Sequence, residues 1–152
     1  MDLEKVLHYR DGYKYQLAKT YMREIPFAPM NDIITPYIKL NKAGMLALME
    51  GYAWDGPSGP TYDSPCFMQG PLVHDAGYQL MREGYIDHVS ERRTWDDIML
   101  TIILEDIEAK FHKMNPLRML LRARGFGWHQ AVRLAASSAA DPKSNKMIYT
   151  AP

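Results

Sequence analysis

An α+β fold, strands first and helices after, is what this sequence predicts, and three observations carry the prediction. Short apolar or aromatic runs broken by turn residues fill the stretch from Val6 to about Trp54. Seven glycines and prolines then fall between Gly51 and Gly70, a density that no regular element tolerates. Beyond Pro71, apolar residues recur at helical spacing, most clearly Trp95, Met99, Ile103, Ile107 and Phe111, each four after the last.

Taken in order, Val6–Tyr9 and Tyr13–Leu17 flank Asp11-Gly12, a pair that supplies the positive φ of a tight hairpin turn. Pro26, Pro29 and Pro36 exclude a helix across residues 26–36. A second hairpin is expected from Tyr37–Leu40, through Asn41-Lys42-Ala43-Gly44, to Met45–Glu50; its second arm has helix-forming residues, but its short length and flanking glycines favour a strand. The 51–70 segment reads as a structured loop. Pro71 suits a first helical position, giving a short helix from Leu72 to about Arg82 closed by Gly84. Ser90 is the expected start of a long helix running to about Met114, before Pro116. Two amphipathic stretches, Pro116–Arg124 and Trp128–Ser138, stand on either side of Gly125-Phe126-Gly127.

The chain has 152 residues, of which 47% are hydrophobic and 24% charged, enough for one real core. A single domain is expected over residues 1–140, with 141–152 as a flexible polar tail. One cysteine leaves no internal disulfide and no cysteine-rich zinc site. The start, Met1-Asp2-Leu3-Glu4-Lys5, does not read as a secretion signal, and no apolar run reaches the ~20 residues of a membrane span. Eighteen basic residues balance eighteen acidic ones, which argues against a chain that coats nucleic acid through bulk charge. That balance conceals a gradient: from Lys110 onward eight basic residues face one acid, Asp141.

The chemistry gathers at His74-Asp75. Tyr78 lies four residues after His74, so imidazole and phenol share a helix face, while Asp75 points about 100° away. On the long helix Asp96 falls within about 20° of Ile103 and Ile107, in the middle of the apolar arc. A carboxylate buried there needs a mate, and His74 or Tyr78 is the expected one; Asp97 points away toward water. A histidine held by a buried carboxylate suits activation of water, and Asp75 with loop carbonyls suits a hard cation such as calcium. The plainer alternative is that His74 and Tyr78 only satisfy a core aspartate. A His-Asp phosphohydrolase would need a further upstream histidine on a helix, and none lies between His8 and His74. Asp87-His88 and His112 read as solvated surface, and Cys66 as a packed side chain; Tyr52 and Trp54 read as core aromatics more readily than as the lining of an apolar pocket.

The segment Val73-His74-Asp75-Ala76-Gly77-Tyr78 resembles the His-Asp-x-x-Tyr helix of phospholipase A2, closest to the short bacterial and fungal type. The resemblance implies that His74 is the general base for water, that Asp75 binds calcium, and that Asp96 orients His74 while accepting a bond from Tyr78. By the same resemblance Asp55-Gly56-Pro57-Ser58-Gly59-Pro60 stands in the place of the calcium loop, with Asp55, Gly56 and Gly59 as candidate contributors. The chain departs from that family in lacking its bracing cysteines and its tyrosine-glycine-cysteine loop. The wider stretch Gly51–Met99 is similar to an uncharacterised family encoded largely by bacteriophages, which shares a Trp-Asp-Gly loop, the His-Asp-x-x-Tyr helix and an aspartate in an Arg-rich helix start, here Arg92-Arg93-Thr94-Trp95-Asp96.

The expected function is therefore a phage-associated, phospholipase A2-like hydrolase acting in the host cytoplasm or in the virion. A non-catalytic virion or assembly component that keeps the His/Asp/Tyr network as a polar core is the alternative. Anionic lipid or other phage proteins are the partners expected at the basic C-terminal helices, with no sequence-specific nucleic acid.

Overall fold

The computed structural model describes residues 9–10, 15–56, 64–135 and 140–144. The fold is α+β in the predicted order, antiparallel strands followed by three helices. One sheet has strand order β1-β2-β7, formed by β1 (Tyr9–Arg10), β2 (Tyr15–Leu17) and β7 (Ala53–Trp54). The first hairpin pairs Tyr9 with Leu17 and Arg10 with Gln16, whereas a two-residue turn at Asp11-Gly12 would pair Arg10 with Tyr13; residues 11–14 lie outside the described residues.

The second sheet has the order β3-β6-β5-β4, from β3 (Tyr21–Glu24), β4 (Ile33–Ile34), β5 (Ile38–Leu40) and β6 (Met45–Leu48). In β5 and β6 the two-residue period of a strand turns Ile38, Leu40, Leu46 and Leu48 into the core, which is why the ambiguous arm beginning at Met45 is a strand. Asn41 builds the turn, its Oδ1 accepting the Ala43 and Met45 amides at 3.0 and 2.9 Å. Gly44 closes it at φ +84°, where a Cβ would lie 2.6 Å from the Ile25 carbonyl oxygen.

A turn of 3-10 helix, Pro65–Phe67, leads into α1 (Gln69–Arg82), which starts two residues before Pro71. Gly84, at φ +79°, ends it as predicted, with the Gly84 amide on the Met81 carbonyl. The next helix, α2 (His88–Lys110), is capped by Asp87 rather than Ser90: the Asp87 carboxylate accepts the Val89 amide at 3.0 Å and the Ser90 hydroxyl at 3.1 Å. It stops at Lys110, so Phe111 sits in extended backbone just past its end.

The last helix corrects the sequence reading. Residues Pro116–Ala135 form one continuous helix, α3, straight through Gly125-Phe126-Gly127. Gly125 is buried on α2, where a Cβ would come within 3.3 Å of Ile103. Leu121, Trp128 and Val132 pack with Phe67, Met99, Ile103 and Ile107. That packing outweighs the ~1 kcal/mol each interior glycine costs a helix. Beyond α3, Ala140 is fully buried and a 3-10 turn, Pro142–Ser144, contacts α1, so the segment marked as a tail begins against the body. Among the described residues no helix is long and apolar enough to cross a membrane.

The contact between α1 and α2 positions the candidate site. Gly70 and Gly77 lie two turns apart on one face of α1, and a Cβ on Gly77 would lie 2.1 Å from the Trp95 ring. A Cβ on Gly70 would lie 2.8 Å from the Met99 carbonyl oxygen. With no side chain at either point, the two helices close on each other, and Trp95 is fully buried between α1 and Phe27.

Candidate active site

His74 lies between Gly70 and Gly77 on the face of α1 that meets α2, about 40° from the first and about 60° from the second. Asp96 follows Trp95, the residue packed over Gly77, so the close approach brings its carboxylate to the imidazole. His74 Nε2 is 2.9 Å from Asp96 Oδ1, and the Tyr78 hydroxyl donates to the same oxygen at 2.8 Å. The His74 and Tyr78 rings lie 4.0 Å apart, centroid to centroid. Asp96 is 0% exposed, as its place in the apolar arc predicts, and both expected mates reach it.

An ionised carboxylate only accepts, so Nε2 carries the proton and donates it. Nδ1 is then the accepting nitrogen, and it faces Asp75 Oδ1 at 3.7 Å, close enough to feel the charge but too far for a hydrogen bond. Burial works against an imidazolium here. The carboxylates of Asp75 and Asp96 more than offset it, and His74 titrates above the ordinary histidine value. For Asp96 burial pushes the other way, yet the bonds from His74 and Tyr78, with the charges of His74 and Arg92, hold the carboxyl below its usual range. Burial and the neighbouring carboxylate lift the Tyr78 phenol far above its usual value, which keeps it a donor.

Asp96 has a third neighbour. Its Oδ2 is buried without a hydrogen-bond partner among the described residues, and Arg133 Nη1, equally buried and unbonded, lies 3.9 Å away. Arg92 Nη1 donates to the Arg133 carbonyl at 3.4 Å, tying α2 to α3. Asp97, expected in water, is exposed but takes His129 Nε2 at 2.8 Å. His129 and Arg133 stand four apart within the expected Trp128–Ser138 stretch, an i, i+4 pair on the side of α3 that meets α2, and the sequence pattern singles out neither for the site.

The loop is partly in view. Asp75 Oδ2 accepts the Asp55 amide at 3.3 Å, which anchors the end of β7 to α1. Gly56 turns the chain at φ +70°, and a Cβ there would strike the Tyr15 ring at 2.5 Å. Gly59 and the rest of 57–63 lie outside the described residues. Among those described, no three His, Cys, Asp or Glu side chains converge as a metal cage. The Asp75 carboxylate is an oxygen donor of the kind a hard cation takes, but the backbone group that meets it is the Asp55 N–H, a hydrogen-bond donor and not a ligand.

Other residues take structural places. Tyr52 and Trp54 belong to the core, and Cys66 is buried with its thiol lifted by burial. The Asp87 carboxylate serves as the α2 cap, and His112 Nδ1 accepts the Met114 amide at 3.3 Å. A second polar cluster, unforeseen, joins β3, α1 and α2. Gln69 accepts from the Tyr21 hydroxyl at 2.8 Å and donates to Asp106 Oδ1 at 3.2 Å, while Arg23 bonds Glu105. Set beside known proteins, the chain matches no family model, no curated protein and no solved structure.

Proposed function

We propose that the chain is a hydrolase of phospholipase A2 type, with His74 as the base that activates water for attack on an ester. The observation that carries this reading is the orientation of His74: Nε2 is spent on the buried Asp96, and Nδ1 is left on the side of Asp75. In the step proposed, a water proton passes to Nδ1 as the water oxygen bonds the ester carbonyl carbon. Asp96 stabilises the imidazolium through Nε2–H, and Tyr78 holds Asp96 in place. The proton then passes from His74 to the departing alkoxide as the carbon–oxygen bond breaks. Asp75, with backbone carbonyls from Asp55 to Pro60, would hold calcium, which when bound polarises the carbonyl. The phage association rests on the resemblance of the Gly51–Met99 stretch.

The test is release of fatty acid from phospholipid vesicles in calcium. His74→Asn should lower the rate about 10²–10⁴-fold, the usual worth of a general base, with the melting temperature followed in parallel. A folded wild type that releases no fatty acid overturns the reading.

A specific observation favours the second reading, a virion or assembly component. The His74 side chain is only 8% exposed, as in a retained polar core. On that reading His74→Asn changes stability and assembly, and no hydrolysis is found in either form.

A further inference from the structure

Asp96 is loaded on one side only. Its Oδ1 takes both the His74 imidazole and the Tyr78 hydroxyl, at 2.9 and 2.8 Å, so everything that α1 gives to the carboxylate arrives at a single oxygen. Oδ2 is buried, and no hydrogen-bond donor among the described residues reaches it. A carboxylate has room for about four donors, and an oxygen left bare in the core keeps the full cost of losing its water.

The group that faces Oδ2 comes from α3. Arg133 Nη1 lies 3.9 Å away and is itself buried without a hydrogen bond among the described residues. Two unbonded groups of opposite charge, buried side by side, attract strongly even at a distance too long for a hydrogen bond, and a small turn of the guanidinium would bring them into contact. The backbone behind Arg133 is held as well. Arg92, one turn before Asp96 on α2, donates from Nη1 to the Arg133 carbonyl at 3.4 Å. One turn earlier on α3, His129 Nε2 meets Asp97 at 2.8 Å. Pinned to α2 at these two points, α3 delivers the Arg133 side chain to the buried aspartate and the His129 side chain to the exposed one.

We infer that Arg133 is a positioning residue: from α3 it holds the second oxygen of Asp96, so that the first stays on His74 Nε2 and the Tyr78 hydroxyl. A carboxylate tethered at one oxygen is free to turn about its Cβ–Cγ bond, and one tethered at both is not. That matters when His74 takes a proton, because Asp96 must then stabilise the imidazolium through an unmoved Nε2–H. Arg133 acts through Asp96, so its removal falls on kcat rather than on KM. The catalytic consequence rests on the hydrolase reading; the placement of Asp96 does not.

The experiment uses the full chain on phosphatidylglycerol vesicles in calcium, with melting temperatures followed in parallel. Arg133→Gln should lower kcat for fatty-acid release about 10–100-fold and leave KM within about twofold, since a small displacement of the base is what is lost. Arg133→Lys should recover most of that, because the contact is one N–H toward one oxygen and not a bidentate fork. His129→Gln removes the neighbouring bond between α2 and α3 without touching Asp96, and its kcat should stay near wild type. An unchanged kcat in Arg133→Gln overturns the proposal, as does a loss carried by KM, no recovery with lysine, or an equal loss in His129→Gln. The placement has its own readout by NMR. The His74 Nε2 proton, identified as the resonance missing from His74→Asn, should exchange with water about 10-fold faster in Arg133→Gln and near the wild-type rate in Arg133→Lys and His129→Gln. If the wild type releases no fatty acid, the hydrolase reading fails and the exchange still decides: faster exchange in Arg133→Gln keeps Arg133 as the holder of Asp96, and unchanged exchange overturns it.

Discussion

Asp96 and Asp97 are neighbours on α2, and each takes a histidine Nε2 at nearly the same distance, 2.9 Å from His74 on α1 and 2.8 Å from His129 on α3. By residue type and length the two pairs are twins, but their surroundings differ. The Asp96 side chain is fully buried and shares one oxygen with Tyr78, while the other faces Arg133. The Asp97 side chain is 56% exposed, and water screens it. Geometry alone does not make an ion pair consequential: desolvation at Asp96 makes every neighbour matter, and its absence at Asp97 makes the same contact weak.

The largest expected effect follows directly. Asp96→Ala should cost about 3–5 kcal/mol in urea unfolding, because it strands the Tyr78 hydroxyl and the His74 imidazole in the core. Asp97→Ala should cost no more than about 1 kcal/mol. Equal losses would break the comparison. Next comes the packing that brings His74 to Asp96. Gly77→Ala forces a methyl group into the buried Trp95 ring and should cost about 1–3 kcal/mol, with a change in Trp95 fluorescence marking the displaced helix. A variant as stable as wild type would show that the α1–α2 approach is looser than the glycines imply.

The pH dependence sharpens the contrast further. The folded pKa of His74 lies above the unfolded value of about 6.5, so its contribution is fully present below that pH and fades as pH rises through the folded value. Asp96 is depressed, so its contribution is present above about 3.9 and is lost as pH falls through the lower folded value. The cleanest measurement is the difference between wild type and His74→Gln across pH. Subtraction removes Asp106, whose carboxyl, lifted chiefly by burial to about 6, makes both proteins lose stability between about pH 4 and 6. The difference should shrink on the alkaline side. Arg133→Gln should move the His74 NMR titration upward, since a cation that opposed the imidazolium is gone, whereas Arg133→Lys should move it less. No movement would remove Arg133 from the site.

Much of this was legible in the sequence, and the limits have physical causes. Asp96 was placed in the core with His74 and Tyr78 because a polar residue in an apolar arc obeys helix geometry alone. The second hairpin is legible because its turn needs asparagine and glycine at fixed positions, Asn41 and Gly44. What escaped depended on the third dimension. Gly77 is an ordinary interior glycine until Trp95 is seen over it. Gly125 and Gly127 looked like a break because propensity disfavours them in a helix, and tertiary packing at Gly125 overrides that. Asp87, one residue from the His88 that begins α2, was read as plain surface, although an aspartate there is a standard cap. His129 and Arg133 fall four apart in one amphipathic stretch, but nothing in that spacing says that the two aspartates of α2 lie opposite.

The smallest expected effect tests the comparison most closely, because it asks whether the rim pair is as weak as its exposure implies. A double-mutant cycle on Asp97→Ala and His129→Ala isolates the coupling, since His129→Ala alone also removes the packing of a buried ring on α2. The coupling should fall between about 0.2 and 1 kcal/mol at low salt and shrink toward zero as salt screens the exposed carboxylate. The same cycle on Asp96 and Tyr78 should give a larger coupling that barely responds to salt, because counterions cannot reach a fully buried oxygen. If the Asp97 coupling matched it and resisted salt, exposure would not be what separates the pairs. The distinction would then lie in the fixed positions of α1 and α3 against α2, and His129 would belong with His74 as part of one polar core.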